Sequence, residues 1–436
     1  MREMKDSEVE WIGEIPRDWR IAKFKFFFSI IGGCGFKEEY QGASQGDYPF
    51  LKASDINGSD RTVSSAKNYV NQDLVQQERY SIVPAYSIII AKIGEALKKN
   101  HRKINTCDCI IDNNCEAFSL ISSADSDLSY LYYVLSQIDM VWFDNGGTVP
   151  SINNEKLRDF FLPNPNNATQ HRIADYLDAK CTQIDRAIAR QQEVIEKLKA
   201  YKLSVITEAV TKGLNPDVPM KDSGIEWIGE IPEHWEVSAL KNYIDVLPGY
   251  AFSSLDFDTE NGIPLLRGVN VTPNGLRWDD VVYWNKSISD ELEPFALCKN
   301  DIVFGLDRPW INEGTRITII SENDLPCLLL QRVCRIRGAG DLDFRIVYYW
   351  LGSSMFQDIV SLATTGVSVP HISTRQIGNF FIAVPPEAEQ KHICEYLDSR
   401  CSKINAIVIQ KNEIISKLTE YKKSLIYEVV TGKREV

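Results

Sequence analysis

The chain has 436 residues, 44% of them hydrophobic and 25% charged, with a formal net charge of −12. This is a globular composition with material for two to three domains. No apolar run approaches the roughly 20 residues a membrane span needs, and the start, MREMKDSEVEW, lacks a signal-peptide core. Ten scattered cysteines read as free thiols rather than a disulfide framework, so a cytoplasmic location and no membrane partner are expected. The acidic balance argues against nucleic-acid binding over the whole surface, but a local basic groove on an acidic protein still binds phosphates.

Met4–Trp19 reads MKDSEVEWIGEIPRDW, and its Trp11, Ile12, Ile15, Pro16 and Trp19 are spaced around a Pro turn in a way that favours packing over an aromatic recognition surface. From Ile21 to Thr148, short β-branched runs such as SIIIAKIG alternate with Gly, Asn and Pro. They predict a compact mixed α and β globule, closed by a short helix at about Ser129 to Met140. IGGCGF, Ile31 to Phe36, has no long helix behind it and reads as a turn, not a phosphate loop. The densest basic cluster is Lys98, Lys99, His101, Arg102 and Lys103, with Lys92 upstream. On a loop after an Ile-rich strand it would grip phosphates or read guanine edges; a solvated basic loop is the alternative. His101, Cys107, Cys109 and Cys115 fit no common zinc spacing, and no metal site is predicted.

The run from about Gln170 to Thr211 carries Leu177, Cys181, Ile184, Ile188, Ile195, Leu198 and Val205 in steps of four and three, with Gln191 and Lys202 in polar slots. That heptad seam predicts one helix of roughly 40 residues, about 60 Å long. The linker GLNPDVP, Gly213 to Pro219, follows.

The plan then begins again. MKDSGIEWIGEIPEHW, Met220 to Trp235, returns the opening segment, and Val369 to Thr431 returns Val149 to Thr211. Its heptad seam is Leu397, Cys401, Ile404, Val408, Ile415, Leu418 and Leu425, with Lys411 and Lys422 in the polar slots. Two matching seams in one chain favour pairing with each other over pairing with another chain, and Gln191 is expected in register with Lys411 and Lys202 with Lys422. The cassettes between, Ile21 to Thr148 and Val237 to Ser368, share only an outline, as in YPFLKASDINGSD against IPLLRGVNVTPNG, and a helix over Phe344 to Val360 matches the one at Ser129. A constant frame with two dissimilar inserts predicts two different ligands. In the second insert Arg267, Arg308, Trp310, Asn312, Arg316, Gln331, Arg332, Arg335 and Arg337 offer side chains suited to base edges, although QRVCRIR also reads as a strand with one polar face. No Walker A loop, HExxH pair, GxSxG elbow or adenine-methyltransferase tetrapeptide is present, and no catalytic role is predicted.

Two divergent cassettes in a duplicated frame, with EWIGEIP openings, VPxI segments and YLD-bearing long helices, resemble the specificity subunit of Type I restriction-modification enzymes over nearly the whole chain. The resemblance implies an α+β fold in which two mixed α/β target recognition domains are joined by two long antiparallel coiled-coil helices, as a pseudo-two-fold tandem repeat. Residues 1–148 would form the first recognition domain and 149–213 its conserved segment and spacer helix; 214–368 and 369–436 would repeat them. Each domain would read one half of an asymmetric, split double-stranded DNA target, and the helices would set the gap. Two modification subunits would bring S-adenosylmethionine, and restriction subunits would bring ATP and Mg. This subunit would bind no cofactor. A coiled-coil scaffold whose inserts bind proteins is the competing reading. No base-contact motif carries over, so the DNA contacts expected are those read from side-chain chemistry: Lys92, Lys98, Lys99, His101, Arg102, Lys103, Arg267, Arg308, Trp310, Asn312, Arg316 and Arg332.

Overall fold

A computed structural model describes residues 2–58, 60–311, 314–363 and 370–436. Asn312, together with Ser368 and Val369 at the predicted end of the second cassette, lies outside the described residues. The chain forms two compact units, one of Met1–Arg190 with Glu413–Val436 and one of Gln191–Asn412. Among the described residues no helix is long and apolar enough to cross a membrane.

The first unit opens on a hairpin, Met4–Asp6 against Glu14–Pro16. Its turn drives Ile12, Ile15 and Trp19 into the core, while Trp11 stays half-buried and stacks on Phe160 at 5.7 Å. The cassette follows as a five-stranded sheet in the order Phe28–Gly32, Cys115–Leu120, Ile88–Ala91, Arg102–Asn105 and Thr62–Val63. A three-stranded sheet of Ile110–Ile111, Tyr48–Leu51 and Asn68–Val70 stands beside it. Both faces of the central strand are covered, which is why IIIA is apolar without alternation. Arg20–Lys23 pairs with Phe161–Asn164 and closes the cassette where the frame resumes.

The second unit repeats this plan. Its hairpin is Met220–Asp222 with Glu230–Pro232. One four-stranded sheet runs Ile244–Pro248, Val333–Gly338, Ile302–Gly305, Ile317–Ile319, and another runs Phe257–Asp258, Val282–Trp284, Ile263–Leu266, Leu328–Leu329. Glu236–Ala239 pairs with Phe381–Val384 as the closing ribbon.

Glycine in IGGCGF has a packing reason. A Cβ on Gly33 would sit 1.8 Å from the Asp112 carbonyl oxygen, and one on Gly249 in the second unit 2.1 Å from that of Leu330. The run is not the expected turn: Ile31 and Gly32 end the strand Phe28–Gly32 and Cys34 bridges Asp112, so Gly33 sits where two backbones touch.

The closing helices differ from each other. The first spans Leu128–Ser136 and gives way to a 3₁₀ turn at Met140–Phe143. The second is two helices, Phe344–Leu351 and Ser354–Ala363. The break falls at Ser353, whose hydroxyl donates to the Trp350 carbonyl at 2.6 Å and accepts from the Phe356 amide at 3.3 Å, ending one helix and capping the next.

The long helices run Asn167–Lys212 and Glu387–Val430. Their seams pack as the heptads predict. In the first unit Leu177, Cys181 and Ile184 share a core with Leu425, Ile426 and Val429. In the second, Val205, Ala209 and Val210 share one with Ile393, Leu397 and Cys401. The expected match of Lys202 with Lys422 is wrong. Lys202 donates to Asn405 Oδ1 at 2.9 Å within the second unit, and Lys422 grips Asp185 at 2.6 and 2.7 Å within the first. Antiparallel pairing puts residues of different repeat position opposite one another, so each half-buried lysine finds an oxygen instead of its own counterpart. Burial lowers the Lys202 pKa.

Candidate nucleic-acid interface

Strand Ile88–Ala91 leads into a short helix, Gly94–Lys98, that carries the first basic cluster. Lys98 is exposed and pairs with Glu95 at 2.6 Å, Lys99 is exposed, and His101 is half-buried. The other members turn inward, contrary to the expectation of a solvent-facing grip. Arg102 and Lys103 lie on the buried strand Arg102–Asn105, which is paired on both edges. The Arg102 guanidinium donates to the Asn100 Oδ1 at 2.6 Å and to the Ile138 carbonyl at 3.1 Å, tying a turn to the end of the closing helix. Burial lowers its pKa to about 10. Lys92 reaches the buried Glu116 at 3.4 Å. Arg102 and Lys103 are therefore buried beneath the cluster, and half-buried Lys92 is held by Glu116.

Among the cysteines weighed for a metal, Cys109 and Cys115 are buried, and burial pushes the Cys109 thiol up to about 12. All ten cysteines are free thiols. No group of three or more His, Cys, Asp or Glu is arranged for a metal ion among the described residues.

In the second unit the candidates gather around Asp307. Its carboxylate accepts from Arg332 at 2.9 Å and contacts His371 Nδ1 at 2.6 Å, and its carbonyl accepts from Arg316 at 3.1 Å. Arg316 also donates to the Val271 carbonyl at 3.2 Å, and its burial lowers its pKa. Arg308, next in sequence, is exposed. Trp310 is half-buried against the core and starts a two-residue strand, Trp310–Ile311, paired with Gly314–Thr315. Arg267 stands apart, pairing with Asp280 at 2.9 Å.

QRVCRIR is the strand with one polar face. Arg335 is buried and ion-paired with Asp245, and Arg337 holds the buried Asp301 through bonds of 2.6 and 2.7 Å. Gln331, at the turn before that strand, is exposed. Sequence reasoning missed Asp307 and His371, which lie 64 positions apart. The only trace was the change from VPSIN to VPHIS at an otherwise repeated segment.

The sequence profile of the family described as Type I restriction modification DNA specificity domain matches this chain twice, at residues 16–200 and 232–417. The chain therefore belongs to that family. It is 34% identical over 220 residues to the Type I restriction enzyme EcoAI specificity subunit of Escherichia coli, a match covering 50% of this chain and 37% of that subunit. With the MjaVIII specificity subunit of Methanocaldococcus jannaschii it is 27% identical over 430 residues, covering 97% of this chain and 94% of the other. A solved chain from a study of complex assembly and conformational transition in the type I R-M system has the same fold, with a TM-score of 0.67 at 14% identity, over 96% of this chain and 99% of that one.

Proposed function

We propose that this chain is the address-reading subunit of a Type I restriction-modification enzyme, directing methylation and cleavage to an asymmetric bipartite DNA target. The observation that carries the proposal is the duplicated frame around two dissimilar cassettes, each lying within one of the two family matches. Residues 21–148 and 237–368 are assigned as the two readers, and the paired long helices as the ruler between half-sites.

Its contribution is binding and register. The exposed candidate cations Lys98, Lys99, Arg308 and Arg332, with half-buried His101, contact phosphates and base edges, while Lys92, Arg102, Lys103, Arg267 and Arg316 brace the loops that present them. Chemistry belongs to partners. Two modification subunits supply S-adenosylmethionine and the pocket that takes the flipped adenine, and restriction subunits supply ATP- and Mg-dependent translocation and cleavage. The site of action is the cytoplasm.

Binding of the assembled modification complex to duplex DNA over a range of salt tests this reading. Phosphate-driven recognition predicts that log affinity falls linearly and steeply with log salt. A complex whose duplex binding does not respond to salt would support a protein-binding scaffold instead.

A further inference from the structure

The two units share a corner at which the chain leaves the central strand. In the first, Gly94 adopts φ +67°, its amide donates to the Pro150 carbonyl at 2.8 Å, and Ile93 bridges Ser151. In the second, Arg308 adopts φ +45°, its amide donates to the Pro370 carbonyl at 2.7 Å, and Asp307 bridges His371. The frame demands a left-handed backbone here, which glycine adopts freely and a residue with a Cβ adopts under strain.

The second unit therefore carries a bulky side chain at the position where the first carries none. That side chain is an exposed guanidinium that no hydrogen bond or ion pair joins to another described residue. Its neighbours are engaged. Asp307 spends both carboxylate oxygens on Arg332 and His371. Arg316 spends its head on the carbonyls of Val271 and Asp307. Asp307 thus anchors the surrounding cations and, among the described residues, leaves Arg308 without a counter-ion. A strained backbone that projects an Arg with no partner among the described residues from a braced corner is a feature that packing does not explain.

Given the DNA-reading assignment above, on which this inference rests, we propose that Arg308 is a specificity-determining residue of the second cassette, its planar fork reading the O6 and N7 edge of a guanine. Arg presents two parallel donors in a rigid planar fork that matches this edge, whereas Lys reaches it with a flexible ammonium.

The substitution Arg308→Gly gives the test unusual clarity, because it restores the residue type of the first unit and relieves the backbone. The thermal midpoint is expected to hold or rise. Wild type and the Arg308→Gly and Arg308→Lys variants, each as the full chain in complex with modification subunits, are used to select from randomised duplex DNA. Wild type is expected to select a two-part sequence. In Arg308→Gly, preference for guanine at one position of one half is lost, with affinity for the wild-type target falling about 5- to 150-fold, while the other half is unchanged. Arg308→Lys retains the charge and a weaker preference than wild type, because its ammonium lacks the fixed fork. If wild type selects a two-part target and Arg308→Gly selects the same one equally well, or loses affinity uniformly across sequences, the base-reading role of Arg308 is overturned while DNA recognition stands. If wild type selects no sequence, the DNA-reading assignment falls and takes this inference with it.

Discussion

The phenol of Tyr133 donates a hydrogen bond of 2.6 Å to Asp178 Oδ1, and Tyr349 makes the equivalent bond to Asp398. Each bond fastens the closing helix of a cassette to the YLD aspartate of a long helix. An arginine completes both latches: Arg61, whose guanidinium lies 4.8 and 4.9 Å from the ring centroids of Tyr132 and Tyr133, ion-pairs with Asp178, and Arg345 reaches Asp398 at 3.0 Å. Tyr133→Phe should lower the stability of its unit by about 1 kcal/mol, below the range of about 1.5–3 kcal/mol for a bond to a charged acceptor, because Asp178 is partly exposed. Urea titration followed by tryptophan fluorescence measures it; an unchanged midpoint would show that the latch contributes nothing.

The same phenols give a pH signature. Burial first, and then the bond to Asp178, push the Tyr133 phenol well above its ordinary value, and burial with the bond to Asp398 does the same to Tyr349. A folded-state value raised above the unfolded value of about 10 means the contribution is complete below that pH and is lost as pH rises beyond it. Stability should therefore decline in alkali above about pH 10, and the double variant Tyr133→Phe, Tyr349→Phe should decline less steeply. Equal slopes for the two proteins would rule out these tyrosines as the source.

Trp235 and Trp19 hold the same place in the two units, yet only one has an acceptor. Trp235 Nε1 donates to Glu389 Oε2 at 3.0 Å, whereas Trp19 Nε1 is buried with no partner among the described residues. Glu389→Ala should cost the second unit about 1–2 kcal/mol by orphaning a buried donor. Thr169 occupies the repeat position of Glu389, and Asp18 that of His234, which also contacts Glu389. Thr169→Glu with Asp18→His should stabilise the first unit, read as a rise in its unfolding midpoint; Thr169→Glu alone sets two carboxylates together and should not.

The heptad seams were legible because a 3.5-residue period survives in the spacing of Leu177, Cys181 and Ile184 and of their repeats. The partners of the polar slots were not, since Asn405 and Asp185 are ordinary polar residues until an antiparallel register selects them. Arg102 misled for a related reason: in a run of cations, spacing alone does not say which lie on a strand paired at both edges. The cluster at Asp307 depends on a contact across 64 positions, and no local pattern carries it. The burial of Ile12, Ile15 and Trp19 could be read from their spacing around Pro16, but not what buries them, because their core includes Leu425, Val429 and Val430 from the other end of the chain.

The ruler role predicts a geometric effect. Seven residues inserted into each long helix, in phase with the seams and placed so that Asp185–Lys422 and Lys202–Asn405 are kept, should lengthen the gap in the recognised sequence and change neither half-site. Methylome sequencing of cells carrying the altered system reads both at once. An unchanged gap would refute the ruler.

Exchange of residues 21–148 for the corresponding cassette of another family member, followed by methylome sequencing, tests the central claim most directly. The account predicts that one half of the methylated target is replaced while the other half and the gap persist. Replacement of both halves, or of neither, would contradict it.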